Sequence, residues 1–204
     1  MSTLGVVLAG GSSSRFGADK AAAILGGRTL LQHVCERAAP QVDRLVINRN
    51  TNSETPTLSD FVRLEDEWPG EGPLAGVLAA LEYARSDGFA QVASFPCDAP
   101  FFPADLVSRL RDQLTLAKAD YCVARCGEQE HRTFALWDMA CTSVLRASFL
   151  AGMRSLRDVS DVLTKSVADF LPAGERGIAD SFLNINTQDD LAVAARWLAS
   201  HPAT

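Results

Sequence analysis

The sequence predicts an α/β protein of three layers, with a mostly parallel central sheet covered by helices on both faces. Two observations carry that expectation. Apolar runs of strand length alternate along the chain with stretches whose apolar residues recur at helical spacing, which is the pattern of βαβ units. No internal repeat, low-complexity tract or linker rich in Pro, Gly or Ser divides the 204 residues, so a single domain over 1–204 is expected.

The elements follow in order. Leu4-Gly5-Val6-Val7-Leu8-Ala9 is a short apolar run closed by glycines and reads as a buried strand. Leu30, Leu31, Val34, Cys35 and Ala38 mark one buried helix face. Strands are expected at Leu45-Val46-Ile47 and, more weakly, at Phe61-Val62-Arg63-Leu64. Leu74, Val77, Leu78 and Leu81 form a second helical stripe with Pro73 in its first turn. A strand over Gln91-Val92-Ala93-Ser94-Phe95 comes next, then a helix carrying Leu106, Leu110 and Leu114 and opened by Pro103. Tyr121-Cys122-Val123-Ala124 and Thr133-Phe134-Ala135-Leu136-Trp137 read as further strands. A last helix shows Leu191, Ala195 and Leu198, capped by Thr187 with Asp189 and Asp190 in its first turn.

Composition narrows the function classes. Hydrophobic residues make up 47% and charged residues 22%, the balance of a chain that folds without a disulfide or metal staple. Nineteen basic against 25 acidic residues leave a net charge of −6, which argues against a nucleic-acid binder. The longest apolar runs, such as Pro73 to Leu81, are far short of the roughly 20 residues that cross a bilayer. No secretory signal is read at the N-terminus, and five cysteines without a framework suit a reducing compartment. A cytoplasmic protein without membrane or nucleic-acid partners is expected.

Ligands of parallel sheets bind beyond the carboxyl ends of the strands, so the residues after each apolar run carry the functional expectation. The first strand runs into Gly10-Gly11-Ser12-Ser13-Ser14-Arg15-Phe16-Gly17-Ala18-Asp19-Lys20. Its glycines let backbone approach a ligand, and Arg15 and Lys20 add a bidentate fork and a compact charge, so the segment reads as a phosphate cradle. It is neither a Walker A loop nor a dinucleotide fingerprint; the other reading is an ordinary turn with solvated charges. Asn48 and Asp66 stand after the second and third strands, where either is also a common loop residue. Gly70-Glu71-Gly72-Pro73-Leu74-Ala75-Gly76 opens a helix whose N-terminus favours anions. In Pro96-Cys97-Asp98-Ala99-Pro100, Asp98 is placed to hold a hard cation bridging phosphates, or else to cap a turn. Cys97 has no histidine predictably near it and reads as a packing residue, with His33 on a helical stretch. Cys122, Cys126 and Cys141 read as packing residues rather than zinc ligands.

These segments carry a resemblance. Leu8-Ala9-Gly10-Gly11, Ser13, Arg15-Phe16-Gly17 and Asp19-Lys20 resemble the signature loop of nucleotidyltransferases built on a Rossmann-like fold. With Gly72-Pro73-Leu74-Ala75-Gly76, Pro96-Cys97-Asp98-Ala99-Pro100 and Asn184-Ile185-Asn186-Thr187, the chain from Gly5 to about Leu198 looks like the molybdenum cofactor guanylyltransferases. Two positions depart: Phe16 stands where that family usually has Met, and Gln188 where it has Pro.

The resemblance implies a three-layer Rossmann-like nucleotidyltransferase fold that transfers GMP from MgGTP to molybdopterin and releases pyrophosphate. By the same resemblance, the N-terminal part binds nucleotide and the C-terminal part the acceptor. Leu8, Ala9, Gly10, Gly11, Lys20, Asn48, Asp66, Gly76 and Asp98 fall at nucleotide-binding positions. Asp98 matches the magnesium carboxylate, Arg15 and Lys20 join it as catalytic cations, and Asn184 and Asn186 match the acceptor side. Mg²⁺ is the implied cofactor; a molybdoenzyme or cofactor-delivery protein is the implied transient partner. The sequence also allows a CTP-dependent molybdopterin cytidylyltransferase, a sugar- or polyol-phosphate nucleotidyltransferase, or a non-catalytic nucleotide binder. The presence of both Lys20 and Asp98 favours an enzyme.

Overall fold

The computed structural model describes residues 1–10, 20–49, 58–65, 68, 70–170 and 181–200. The apolar run at the N-terminus forms β1 (Thr3–Leu8), and its side chains alternate between two cores. A short hairpin of β2 (Ile24–Leu25) and β3 (Arg28–Thr29) precedes α1 (Leu30–Ala38). That helix begins at a reciprocal cap, in which the Thr29 hydroxyl accepts from Gln32 N and the Gln32 side chain accepts from Thr29 N. Then come β4 (Arg44–Arg49), β5 (Val62–Glu65), α2 (Pro73–Ser86) and β6 (Gln91–Pro96). α3 (Leu106–Ala117), β7 (Tyr121–Cys126), β8 (Gln129–Asp138), α4 (Thr142–Leu150), β9 (Lys165–Phe170) and α5 (Gln188–Ser200) complete the described chain.

Among the described residues the central sheet has seven strands in the order β5-β4-β1-β6-β8-β7-β9. β5, β4, β1 and β6 are parallel, as are β7 and β9, while β8 runs antiparallel to both its neighbours. Helices cover both faces. Leu31, Val34, Leu106 and Leu110 pack with Val7, Ile47, Phe95 and Phe134 on one side. Leu74, Leu78, Leu81, Leu145 and Phe149 pack with Leu4, Val6, Val92 and Trp137 on the other. This is the three-layer α/β arrangement the sequence predicts.

Four local expectations are corrected. Tyr121–Cys126 and Gln129–Asp138 are longer than their apolar segments because they form one hairpin, closed by Gly127 at φ 59°, a conformation that costs glycine little. α3 starts at Leu106 after Asp105, which leaves Pro103 outside the helix. The buried face of α5 is centred on Ala194, with Leu191, Trp197 and Leu198 packed beside it, whereas Ala195 is exposed. Leu191, Ala194 and Leu198 fall at i, i+3 and i+7, so a shift of one residue restores the helical face. Asn48 lies within β4 rather than after it. Cys122, Cys126 and Cys141 are buried packing residues as read, and His33 lies on α1.

Phe102 ties one layer together. It is fully buried, with its ring 5.3 Å from that of Phe95 and 5.2 Å from that of Phe134. Phe102→Ala removes the ring from a site closed on all sides, so chemical denaturation is expected to show a loss of about 3–5 kcal/mol.

Candidate active site

Three parallel strand ends are held level by the backbone. Leu8, the last residue of β1, stands opposite Asn48 of β4 and Pro96 of β6. Beyond the ladder the Ala9 N–H donates to the Asn48 carbonyl at 2.9 Å, and the Cys97 N–H donates to the Leu8 carbonyl at 3.3 Å. β1 is where the strand order reverses, since the chain moves outward to β4 on one side and to β6 on the other. A crevice at such a point is the usual ligand site of an open α/β sheet.

Asn48 stands beside Leu8 at this point. It is only 2% exposed, and its Nδ2 is buried without a hydrogen-bond acceptor among the described residues. A buried amide donor in that condition carries an unmet desolvation cost, which a ligand acceptor would relieve. The first turn of α2 closes over it: a Cβ on Gly76 would lie 2.5 Å from Asn48 Oδ1 and 2.9 Å from Leu8 Cδ2. Gly76 is therefore a close-approach glycine, and its hydrogen is what allows Asn48 and Leu8 their positions. Gly72 caps this helix at φ 85°, with Pro73 directly after it.

A charged cluster gathers beyond the end of β6. Lys20 Nζ lies 2.5 Å from Asp98 Oδ2 and donates to Asn186 Oδ1 at 2.6 Å. The lysine and aspartate side chains are 15% and 20% exposed, so the pair is partly screened from water. Asp98 follows β6, Lys20 opens a single 3₁₀ turn over Lys20–Ala22, and Asn186 precedes α5. The last segment is fastened from below, because the Ile185 N–H donates to the Asp98 carbonyl at 2.8 Å and the Ile185 side chain is fully buried with Leu25, Leu30 and Phe101. Asn184 is exposed, and its carbonyl accepts from Asn186 Nδ2 at 3.5 Å.

Of the residues singled out in the sequence, Leu8, Ala9, Asn48 and Gly76 thus meet at the ends of β1 and β4, and Lys20, Asp98 and Asn186 beyond the end of β6. Gly10 is half-buried at the end of the described first loop. Gly11, Arg15 and Asp66 lie outside the described residues. Cys97, partly exposed, packs against the core beside Asp98. The Asp98 carboxylate is a donor suited to a hard cation. Among the described residues no group of three or more His, Cys, Asp or Glu gathers around it or elsewhere, and magnesium, which takes one or two carboxylates plus water and phosphate oxygens, needs no such group.

One residue was not legible as a site residue. Asp190 reads as a helix-terminal acid, yet its Oδ2 accepts from both Asn186 N and Thr187 N at 2.9 Å. Those hydrogen bonds, with the charge of Lys20 adding to them, hold its carboxyl below the usual aspartate range. The signal was present as Thr187 three residues before an acid, a reciprocal helix cap.

The contact of Gly76 with Asn48 is testable by itself. Gly76→Ala should destabilise by about 1–3 kcal/mol through overpacking, and less in an Asn48→Ala background, because the two sites share the contact. Denaturation of the two single variants and the double variant measures that coupling.

Comparison with known proteins places the chain in a family. The family model of the MobA-like NTP transferase domain matches residues 5–167. The chain is 40% identical over 198 residues to the molybdenum cofactor guanylyltransferase of Sinorhizobium fredii (strain NBRC 101917 / NGR234), covering 95% of this chain and 90% of that one. It is 37% identical over 202 residues to the protein of that name from Cereibacter sphaeroides (strain ATCC 17029 / ATH 2.4.9), with 97% and 98% covered. Among solved structures, the molybdopterin-guanine dinucleotide biosynthesis protein A of Archaeoglobus fulgidus superposes with a TM-score of 0.77 over 97% of this chain and 99% of that one, at 23% identity, a likeness of fold. With residues 5–167 matched by the family model and relatives of 37–40% identity covered over nine-tenths or more of their length, the chain belongs to the MobA-like NTP transferase family.

Proposed function

We propose that this chain transfers GMP from GTP to molybdopterin, releasing pyrophosphate, with 1–204 acting as one domain. The observation that carries the reading is the meeting of Lys20, Asp98 and Asn186, residues from three distant segments, beside the level ends of β1, β4 and β6. The curated relatives named above are guanylyltransferases by name, which supports GTP over the cytidylyl alternative. No described helix is long and apolar enough to cross a membrane. A cytoplasmic location and transient contact with a molybdoenzyme or delivery protein are part of the same proposal.

The reaction joins a phosphate-monoester oxygen of the acceptor to the α-phosphorus of GTP while the bond from that phosphorus to the β-phosphate oxygen breaks. The attacking oxygen is already ionised at neutral pH, so no general base is required, and catalysis rests on alignment and on balancing charge. Asn48 offers its buried Nδ2 to an acceptor atom of the nucleotide, and the backbone at Leu8, Ala9 and Gly10 lies against the base or ribose. Nucleotidyltransferases of this family generally act with a divalent metal. Magnesium is the ion we propose, held by Asp98, and when bound it supplies neutralising charge to the phosphate oxygens. Lys20 places its ammonium beside the same carboxylate and stabilises negative charge that develops on the leaving pyrophosphate. Asn186 orients that ammonium from the acceptor side. Arg15 joins Lys20 in stabilising the departing pyrophosphate, Gly11 and Asp66 complete the proposed nucleotide contacts, and Asn184 the acceptor contacts.

Purified protein with MgGTP and molybdopterin should release pyrophosphate, and MgCTP should replace MgGTP poorly; equal turnover with both would overturn the guanine assignment. Asp98→Asn should fold and lose about 10²–10³ in kcat, the usual effect of removing a group that stabilises transition-state charge. Lys20→Ala should weaken GTP binding in calorimetry and slow transfer together, since phosphate is met in ground and transition states. Gly10→Ala should lower the ratio of kcat/KM for GTP over CTP by roughly 10-fold or more, as a methyl crowds the broader base.

A further inference from the structure

Asn186 is held from two directions. On one side the preceding residue is tied to the site, because the Ile185 N–H donates to the Asp98 carbonyl at 2.8 Å. On the other, its own N–H and that of Thr187 both donate to Asp190 Oδ2 at 2.9 Å, while the Asp190 N–H returns to Thr187 Oγ1 at 3.1 Å. The reciprocal part of this pattern caps α5. A cap alone, however, requires no bond to Asn186, the residue whose Oδ1 meets Lys20 Nζ at 2.6 Å. Asp190 as a whole residue is intermediate in exposure. Asp189, its neighbour in the same helical turn, is exposed.

We propose that Asp190 is a positioning residue for nucleotidyl transfer, which fixes the backbone of Asn186 so that its side-chain oxygen orients Lys20 beside Asp98. The proposal rests on the nucleotidyl-transfer reading for its kinetic consequence. Its structural content, that one carboxylate of α5 sets the position of Asn186, stands apart from any substrate. The Asp190 carboxylate feels the charge of Lys20, while its hydrogen bonds are made to the backbone of Asn186 and Thr187. Its effect passes through Asn186, so it should act on turnover more than on nucleotide capture.

The test uses the full chain in three variants. Asp190→Ala removes both backbone bonds; Asp190→Asn keeps an oxygen that accepts them and removes the charge; Asp189→Ala removes a charge from the same turn and leaves the bonds. In the pyrophosphate-release assay, Asp190→Ala should lower kcat at least roughly tenfold, within the range a misplaced catalytic group produces, with the KM for GTP changed less than about twofold. Asp190→Asn should recover most of that loss, and Asp189→Ala should match wild type. Amide hydrogen exchange should quicken at Asn186 and Thr187 in Asp190→Ala alone. A folded Asp190→Ala with wild-type kcat overturns the assignment, as does an equal loss in Asp189→Ala, which would reduce the effect to helix charge. Wild-type protein that releases no pyrophosphate overturns the transfer reading instead. The exchange measurement is then still decisive: unchanged Asn186 exchange in Asp190→Ala overturns the positioning assignment by itself.

Discussion

The structure depends on one strand that has no free edge and no free face. β1 is paired in parallel with β4 and β6, and its side chains enter two separate cores, Leu4 and Val6 toward α2 and Val7 toward α1. Even Gly5 is fitted, since a Cβ there would lie 2.7 Å from Leu45 Cδ1 and 2.9 Å from Val42 Cγ2. A strand bounded in this way cannot slip by one residue without turning both cores inside out. Its carboxyl end is therefore fixed against the ends of its neighbours, and the loops that leave those ends start from fixed points. The crevice follows from that constraint rather than from any property of the loops.

The parts of this arrangement that obey a single period were legible in the sequence. β1 after Thr3 and the middle of β4 are continuous apolar runs, and β6 is broken only by Gln91 and Ser94, because both of their faces are covered, and α1 and α2 show uninterrupted helical stripes. β8 was only half legible. Its first part, Gln129 to Arg132, is polar, and the register shifts between His131 and Ala135 opposite Val123 and Ala124, so neither alternation nor an apolar run marks it. β9 and α4 were missed for a related reason. Lys165–Phe170 lies at the sheet edge, where pairing with one neighbour tolerates charged residues such as Lys165 and Asp169, and α4 mixes exposed Val144 and Leu150 with buried Leu145 and Phe149. In α5 the apolar residues were seen, but the phase was set by Ala194, which small size hides among other alanines.

The candidate site divides along the same line. Lys20 and Asp98 were legible because chemistry-bearing side chains follow apolar runs, and Asn186 because its segment resembles a family motif. Nothing in a linear sequence says that the three meet, since contact depends on separations of 78 and 166 residues along the chain. The burial of Asn48 was equally hidden: polar residues are rarely fully enclosed, and only the missing Cβ of Gly76 makes room for its side chain. Asp190 was visible as a helix cap, while its second bond, to Asn186, depends on how the preceding strap is folded back.

These separations also explain how an acidic chain can hold a cation where anionic substrates bind. Many of its arginines stand on the surface beside carboxylates, as Arg125 does with Asp169, Arg44 with Asp87 and Arg28 with Glu36. Exposed pairs of this kind contribute little to stability and are screened by salt. The Lys20–Asp98 pair has less water around it, and it is braced by groups that do not move independently: Asp98 by its place directly after β6 and Asn186 by the strap bonded to Asp98. Removing either acceptor would take away one of the two hydrogen bonds that aim the ammonium. With both in place its direction is set before a phosphate arrives, so the cost of ordering the lysine falls on folding rather than on binding or turnover. On the proposed reading, a residue as distant in sequence from Lys20 as Asp190 bears on the reaction through the orientation of that charge, since it holds the backbone of the residue that Lys20 meets.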